Sequence, residues 1–197
     1  MERIEEGVWR VPADLVTRGQ AYDRQRTGGV EIKQHSDLPI DKQLTAMGAP
    51  WLDRQLVTRE NSLANTGFGA AVRDALQRRE EFLIEQGVAE RDNGVVRLPR
   101  NLFAMLRQRE LDATAKTLAT ETGLDYRPLG DGQTTSGVYR RMISTASGRF
   151  AMLDDGLGFS LVPWRPVLEK RLGQTMGATL HGDQVIWSFG RQRGLSR

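Results

Sequence analysis

Residues 136–163 read SGVYRRMISTASGRFAMLDDGLGFSLVP. How this stretch is divided decides the fold. Val138 to Ile143 is strand-like, and Ser147-Gly148 turns it. Arg149 to Leu153 makes a second strand, and Asp154-Asp155-Gly156 turns again. Phe159 to Val162 is the third. Branched and aromatic runs bounded by Gly, Asp and Ser clusters are the signature of short paired strands. Downstream, Pro163-Trp164-Arg165-Pro166 forms a corner, and residues 167–172 read as about one and a half helical turns. Gly177 to His181 and Gln184 to Phe189 then make a last hairpin around Gly182-Asp183. Short strands, tight turns and one short helix predict a small SH3-like or OB-like β-barrel.

Upstream, residues 127–136 (RPLGDGQTTS) are rich in Gly, Pro, Asp, Ser and Thr, which marks a boundary between domains. Before it the chain is mainly helical. Short helices are expected near residues 13–25, 40–47 and 51–56, with strands at 7–11 and 30–33. Phe68, Val72, Ala75, Leu76, Phe82 and Leu83 recur at helical spacing, with Arg79 as the one interruption, so a helix runs from about 68 to 86. Asn93-Gly94 between apolar residues signals a tight hairpin. Residues 100–122 form another helix, closed by Gly123. Helix, short hairpin, helix is the pattern of a winged-helix-like unit. The expected protein is therefore α+β, with a helical, winged-helix-like domain at 1–126 and a small β-barrel domain at 127–197.

Composition narrows the function. The chain has 197 residues and no cysteine, which excludes disulfides, thiolate zinc sites and cysteine nucleophiles. That suits the cytoplasm, and no run approaches the ~20 apolar residues that span a bilayer. The start, MERIEEGVW, lacks the apolar core of a signal peptide. It reads instead as the middle of a longer polypeptide, whether as a fragment or as a separate gene product. Residues 1–125 carry 18 Lys/Arg against 20 Asp/Glu, and residues 126–197 carry 10 against 5. The basic excess thus falls in the C-terminal third, and an acidic partner, nucleic acid above all, is the match for it.

No catalytic constellation is visible. His35 lies in a polar loop and His181 beside a turn, and neither belongs to a metal-ligand spacing. Gly156-Leu157-Gly158 is a bare GxG with no following helix, and Asp154-Asp155 reads as a solvated turn. Glu80 and Glu81, amid Arg78 and Arg79, read as a solvated charged face. No cofactor is expected.

The basic residues say more. Arg140 and Arg141 are adjacent in a strand, so alternation sends them to opposite faces. Arg165 sits in the corner, Lys170 follows it, and Arg191 and Arg193 lie in the tail GRQRG. Pro163 ends the strand and Pro166 pushes Arg165 towards extended backbone. Trp164 is thus held rigidly. Its ring either caps the open end of the barrel or forms an exposed platform for a base or a peptide.

Several segments together resemble a known family. They are APWLDRQLV (49–57), GFGAAVRDALQRREEFLIEQGVAE (67–90), RNLFAMLRQREL (100–111), residues 136–174 with VPWRPVLE, and GRQRG (190–194). They look like the C-terminal region of conjugative relaxases, the mobilization nucleases of plasmids and integrative elements, a region usually treated as a domain of unknown function. In such relaxases nicking belongs to an N-terminal domain with a catalytic tyrosine and a histidine-held metal ion, and this sequence has no such histidine cluster. What the resemblance implies is a non-catalytic, bacterial, cytoplasmic accessory module. Its leading role would be sequence-independent contact with DNA through Arg140, Arg141, Arg165, Lys170, Arg191 and Arg193, with Trp164 available for stacking. The alternative is docking to relaxosome proteins or to the type IV secretion coupling protein. A hydrolase of unrecognised kind is the third class, and no residues speak for it.

Overall fold

The computed structural model describes residues 2–5, 8–10, 14, 17–18, 21, 36–58, 63, 65–182 and 184–189. Met1–Asp37 form one compact unit and Leu38–Arg197 a second. In the first, β1 (Glu2–Glu5) pairs antiparallel with β2 (Val8–Arg10), with Arg3 opposite Trp9. The helix expected at 13–25 lies for the most part outside the described residues, as do the strand at 30–33 and His35.

The second unit opens with α1 (Ile40–Leu44), α2 (Trp51–Thr58) and the long α3 (Gly67–Glu85). Along α3, Val72, Ala75, Arg79 and Leu83 are buried, one stripe at spacings of three and four. A hairpin of β3 (Glu90–Asp92) and β4 (Val95–Arg97) follows. Its two central residues, Asn93 (φ 50°) and Gly94 (φ 80°), are both left-handed, as the tightest hairpin turn requires. Next comes α4 (Leu102–Thr122), which Gly123 ends in the left-handed region, its N–H donating to the Ala119 carbonyl at 2.8 Å.

Arg79 corrects the sequence reading of a solvated charged face. It is fully buried, as is Asp53 of α2. Its Nε and Nη2 donate to the two Asp53 carboxylate oxygens at 2.8 and 2.9 Å. Nη1 donates to the Leu44 and Ala46 carbonyls at 3.2 and 2.7 Å, and Nη2 also to Gly48 O at 2.8 Å. All five guanidinium N–H groups are therefore used. The arginine interrupts the apolar stripe because it fastens the α1–α2 connection to α3. Burial pushes the Asp53 carboxyl up, and Arg79 pulls against that shift.

The remaining elements are β5 (Asp125–Tyr126), β6 (Thr134–Thr145), β7 (Gly148–Asp154), β8 (Gly158–Pro163), a 3₁₀ turn (Pro166–Leu168), β9 (Thr175–His181) and β10 (Gln184–Phe189). They build one sheet in the order β10-β9-β6-β7-β8-β5, antiparallel except where β5 pairs parallel with β8. The protein is thus α+β as expected. The expected closed barrel is not what forms. The sheet curls until β10 approaches β8, but no ladder joins them, and β10 and β5 are its edges. Part of the β8 edge that closure would need is taken by β5, with Asp125 opposite Gly158 and Tyr126 opposite Phe159.

Both faces of the sheet are covered. Phe150, Met152, Phe159 and Leu161 pack with Leu111, Ala115 and Leu118 of α4. Tyr139, Ala151, Leu153, Val162, Met176 and Ala178 cluster with Leu168 on the other face. The two sets alternate along β7, as period-two side chains must. The first half of α4 belongs to a separate helical cluster, with Leu102 and Leu106 against Leu56 and Leu83. One helix therefore serves two cores, and the connection expected to divide domains at 126/127 follows directly on it. A polar junction adds to this. Glu110 accepts from the Ala146 and Ser147 N–H groups at 2.7 and 2.9 Å, and Ser147 Oγ accepts from Ala49 N at 2.9 Å. Among the described residues no helix is long and apolar enough to cross a membrane.

Candidate nucleic-acid interface

The PWRP corner is built by the end of β8. Trp164 N–H donates to the Arg149 carbonyl at 2.8 Å, extending the β7–β8 ladder by one residue. Arg165 is extended (φ −133°, ψ 151°), as the residue before a proline prefers. Pro166 then starts the 3₁₀ turn, which drops the fully buried Leu168 into the concave cluster. The expected longer helix at 167–172 is only this turn.

Trp164 is half-buried and packs against the same cluster, with its indole Nε1–H donating to Tyr139 Oη at 3.0 Å. The ring is packed against that cluster rather than standing clear of it. The Arg149 guanidinium is 5.8 Å from its centroid. A few residues on, the Arg171 guanidinium lies 3.9 Å from the centroid of Phe189, at the end of β10, and Arg171 Nη1 donates to Gln174 Oε1 at 3.3 Å. Pro166, Val167, Glu169, Lys170, Arg171 and Phe189 line an open groove of about 640 Å³. Arg165 and Lys170 are exposed, and neither makes an ion pair among the described residues.

Arg140 and Arg141 sit elsewhere on the sheet. Arg140 is the extra residue of a bulge between Tyr139 and Arg141, so simple alternation fails here and both side chains are exposed. Arg140 Nε meets Asp154 Oδ2 at 2.8 Å, and Arg141 Nη2 meets Glu121 of α4 at 2.6 Å. Their charge is already answered. Arg191 and Arg193 lie outside the described residues.

The adjacent aspartates differ from a freely solvated turn. Asp154 is buried and accepts from the Gly156 N–H at 2.7 Å besides pairing with Arg140. Asp155 accepts from the Leu157 and Gly158 N–H groups at 2.9 and 2.8 Å and pairs with Arg127 at 2.7 Å. Those backbone donors, with Arg127, hold its carboxyl below the ordinary value. Both side chains shape the β7–β8 turn, where Gly156 takes φ +88°.

The hairpin carries no surplus cation. Arg91 pairs with Glu81 at 2.5 Å and Arg97 with Asp92 at 2.6 Å. His181 is exposed at the end of β9. Among the described residues no group of three or more His, Asp or Glu could hold a metal ion.

Sequence reasoning left Arg149 and Arg171 out of the candidate site, although Arg171 was visible beside Lys170 at the end of the short helix. Counting back through the β7–β8 turn would have placed Arg149 opposite Trp164, one step beyond the Phe150–Pro163 pair. Nothing local ties Arg171 to Phe189, because the β9–β10 hairpin separates them. Comparisons with curated proteins and with solved structures return no match. The family model described as a protein of unknown function (DUF3363) matches residues 1–196, and the chain belongs to that family.

Proposed function

We propose that this chain is a non-catalytic accessory module of a conjugative relaxase that contacts DNA during plasmid or integrative-element transfer. The observation that carries the reading is the PWRP corner and the groove that follows it: Arg165 is exposed with no ion pair among the described residues, and Lys170 and Arg171 line the groove with Phe189, where Glu169 is the one acidic residue in the lining. The other cations singled out and described, Arg140 and Arg141, are engaged by carboxylates. A phosphate backbone would meet uncompensated charge at the corner and would have to displace a partner elsewhere. Such contacts position a strand without reading its sequence. The α3–hairpin–α4 unit fits a winged-helix-like scaffold better than a groove reader, because Arg91 and Arg97 are spent on Glu81 and Asp92.

Fluorescence anisotropy with labelled DNA tests this. Binding should weaken steeply between about 50 and 200 mM salt. Arg165→Ala/Lys170→Ala should weaken it and flatten the salt slope by about two phosphate contacts. Arg140→Ala should change little. No binding at the lowest salt, for single or double strands, sinks the reading.

A docking role has its own support. Val57 and Val95 are 48% and 55% exposed, beside open grooves of about 650 and 470 Å³ on the helical side. Contiguous exposed apolar surface of this kind favours a protein partner. If relaxosome or coupling proteins dock there, Val57→Asp/Val95→Asp should abolish co-purification while leaving DNA affinity unchanged.

A further inference from the structure

The Arg171–Phe189 pair is more specific than a patch of charge. The guanidinium carbon lies 3.9 Å from the ring centroid, within cation–π range. Gln174 Oε1 holds one edge of the plane, and the Arg171 N–H donates to Leu168 O at 2.9 Å, tying its backbone to the 3₁₀ turn. Arg171 is half-buried, with its guanidinium against Phe189 while the side chain borders the open groove. Pro166 and Val167 supply apolar wall, and Lys170 supplies a mobile cation within the same groove. A flat cation backed by a ring is a stacking surface for a planar, electron-rich group. A base within a duplex cannot reach such a surface, because both its faces are already stacked.

We propose that this groove holds one unstacked nucleotide of a single-stranded nucleic acid, its base layered on Arg171 over Phe189 and its phosphate held by Lys170. This rests on the nucleic-acid reading above and names the form of nucleic acid the corner takes. Glu169 limits affinity by repelling the phosphate, so Glu169→Gln should tighten binding.

The test uses the whole chain and three labelled probes. These are an oligothymidylate of about ten nucleotides, the same length of abasic deoxyribose-phosphate chain, and the corresponding duplex. The oligothymidylate should bind about tenfold or more tightly than the abasic chain, in line with a base–side-chain stack. Arg171→Lys keeps the charge and loses the plane. It should lower oligothymidylate affinity by about fivefold to a hundredfold and leave abasic affinity unchanged. Phe189→Leu, which keeps apolar packing, should act in the same direction, with far-UV circular dichroism confirming the fold. Equal affinity for the three probes, or a silent Arg171→Lys, overturns the stacking proposal and leaves a phosphate-only DNA contact standing. Absence of binding to every probe removes both.

Discussion

Replacing Arg79 with methionine is the sharpest probe of how the helical part is held. The substitution keeps most of the volume and removes all five N–H donors. Asp53 is left fully buried without its partner, and the carbonyls of Leu44, Ala46 and Gly48 lose theirs. Breaking a buried pair from one side costs about 3–5 kcal/mol. That is at least about a fifth of the ~5–15 kcal/mol by which a typical domain is stable. For a chain of this size it corresponds to a fall in Tm of about 6–20 °C. Urea and thermal unfolding followed by circular dichroism would read it. The loss should depend on pH with a defined sign. Without Arg79 the Asp53 carboxyl, already pushed up by burial, rises further. A folded-state carboxyl pKa above the unfolded value makes stability fall as pH rises between the two. The deficit of Arg79→Met should therefore be largest at neutral pH and shrink as pH falls towards about 3, below the ordinary Asp value of about 3.9, where Asp53 is mostly protonated folded and unfolded alike. The double variant Arg79→Met/Asp53→Leu should recover part of the loss, since an apolar pair avoids the buried charge. A loss below about 1 kcal/mol at neutral pH, or a double variant no more stable than the single one, would refute the reasoning.

Three further outcomes are expected. Gly48→Ala puts a methyl group onto Glu110 Oε2 and within 2.6 Å of Ser147 Oγ, and Glu110 is pinned by two backbone N–H groups. It should cost about 1–3 kcal/mol by urea unfolding, and much of that should vanish in a Glu110→Ala background. Gly137→Ala meets the backbone of Asp154 at 2.6 Å, which cannot step aside, so soluble yield and Tm should fall further than for Gly48→Ala. Burial, helped by the Asp112 charge, pushes the Tyr126 phenol up to about 12. Ultraviolet titration of the protein against a Tyr126→Phe variant should show Tyr126 ionising late, and because its folded pKa is the higher one, stability should fall as pH rises from about 10 towards that value.

The two long helices were legible because each carries its own evidence in spacing and stops. Leu102 to Leu118 repeats an apolar stripe, and Asn93-Gly94 can do little but turn. Arg79 was legible only as an interruption. Its partner is 26 residues away on another helix, and periodicity cannot report a pair across that distance. The three strands of 136–163 were visible, but the failure of their sheet to close into the expected barrel was not. Strand counting takes no account of a two-residue parallel strand such as Asp125–Tyr126, which shows no alternation to recognise. The bulge at Arg140 hid for a related reason. An extra residue leaves no mark in composition, yet it undid the opposite-face reading of Arg140 and Arg141. At the corner, the prolines announced a fixed geometry for Trp164. The covering of rings by Arg149 and Arg171 arises from register and curl, which only the assembled sheet contains.

That α4 lies across two cores bears on any attempt to divide this chain. A polypeptide beginning at residue 127 would keep most strands and all the corner residues, yet it would bare Phe150, Met152, Phe159 and Leu161 to water where Leu111, Ala115 and Leu118 had covered them. It would also lose β5, opening the β8 edge to intermolecular pairing. Such a piece should aggregate, and a failure of it to bind DNA would be uninformative. The shortest cut that respects the packing carries α4 along with the sheet.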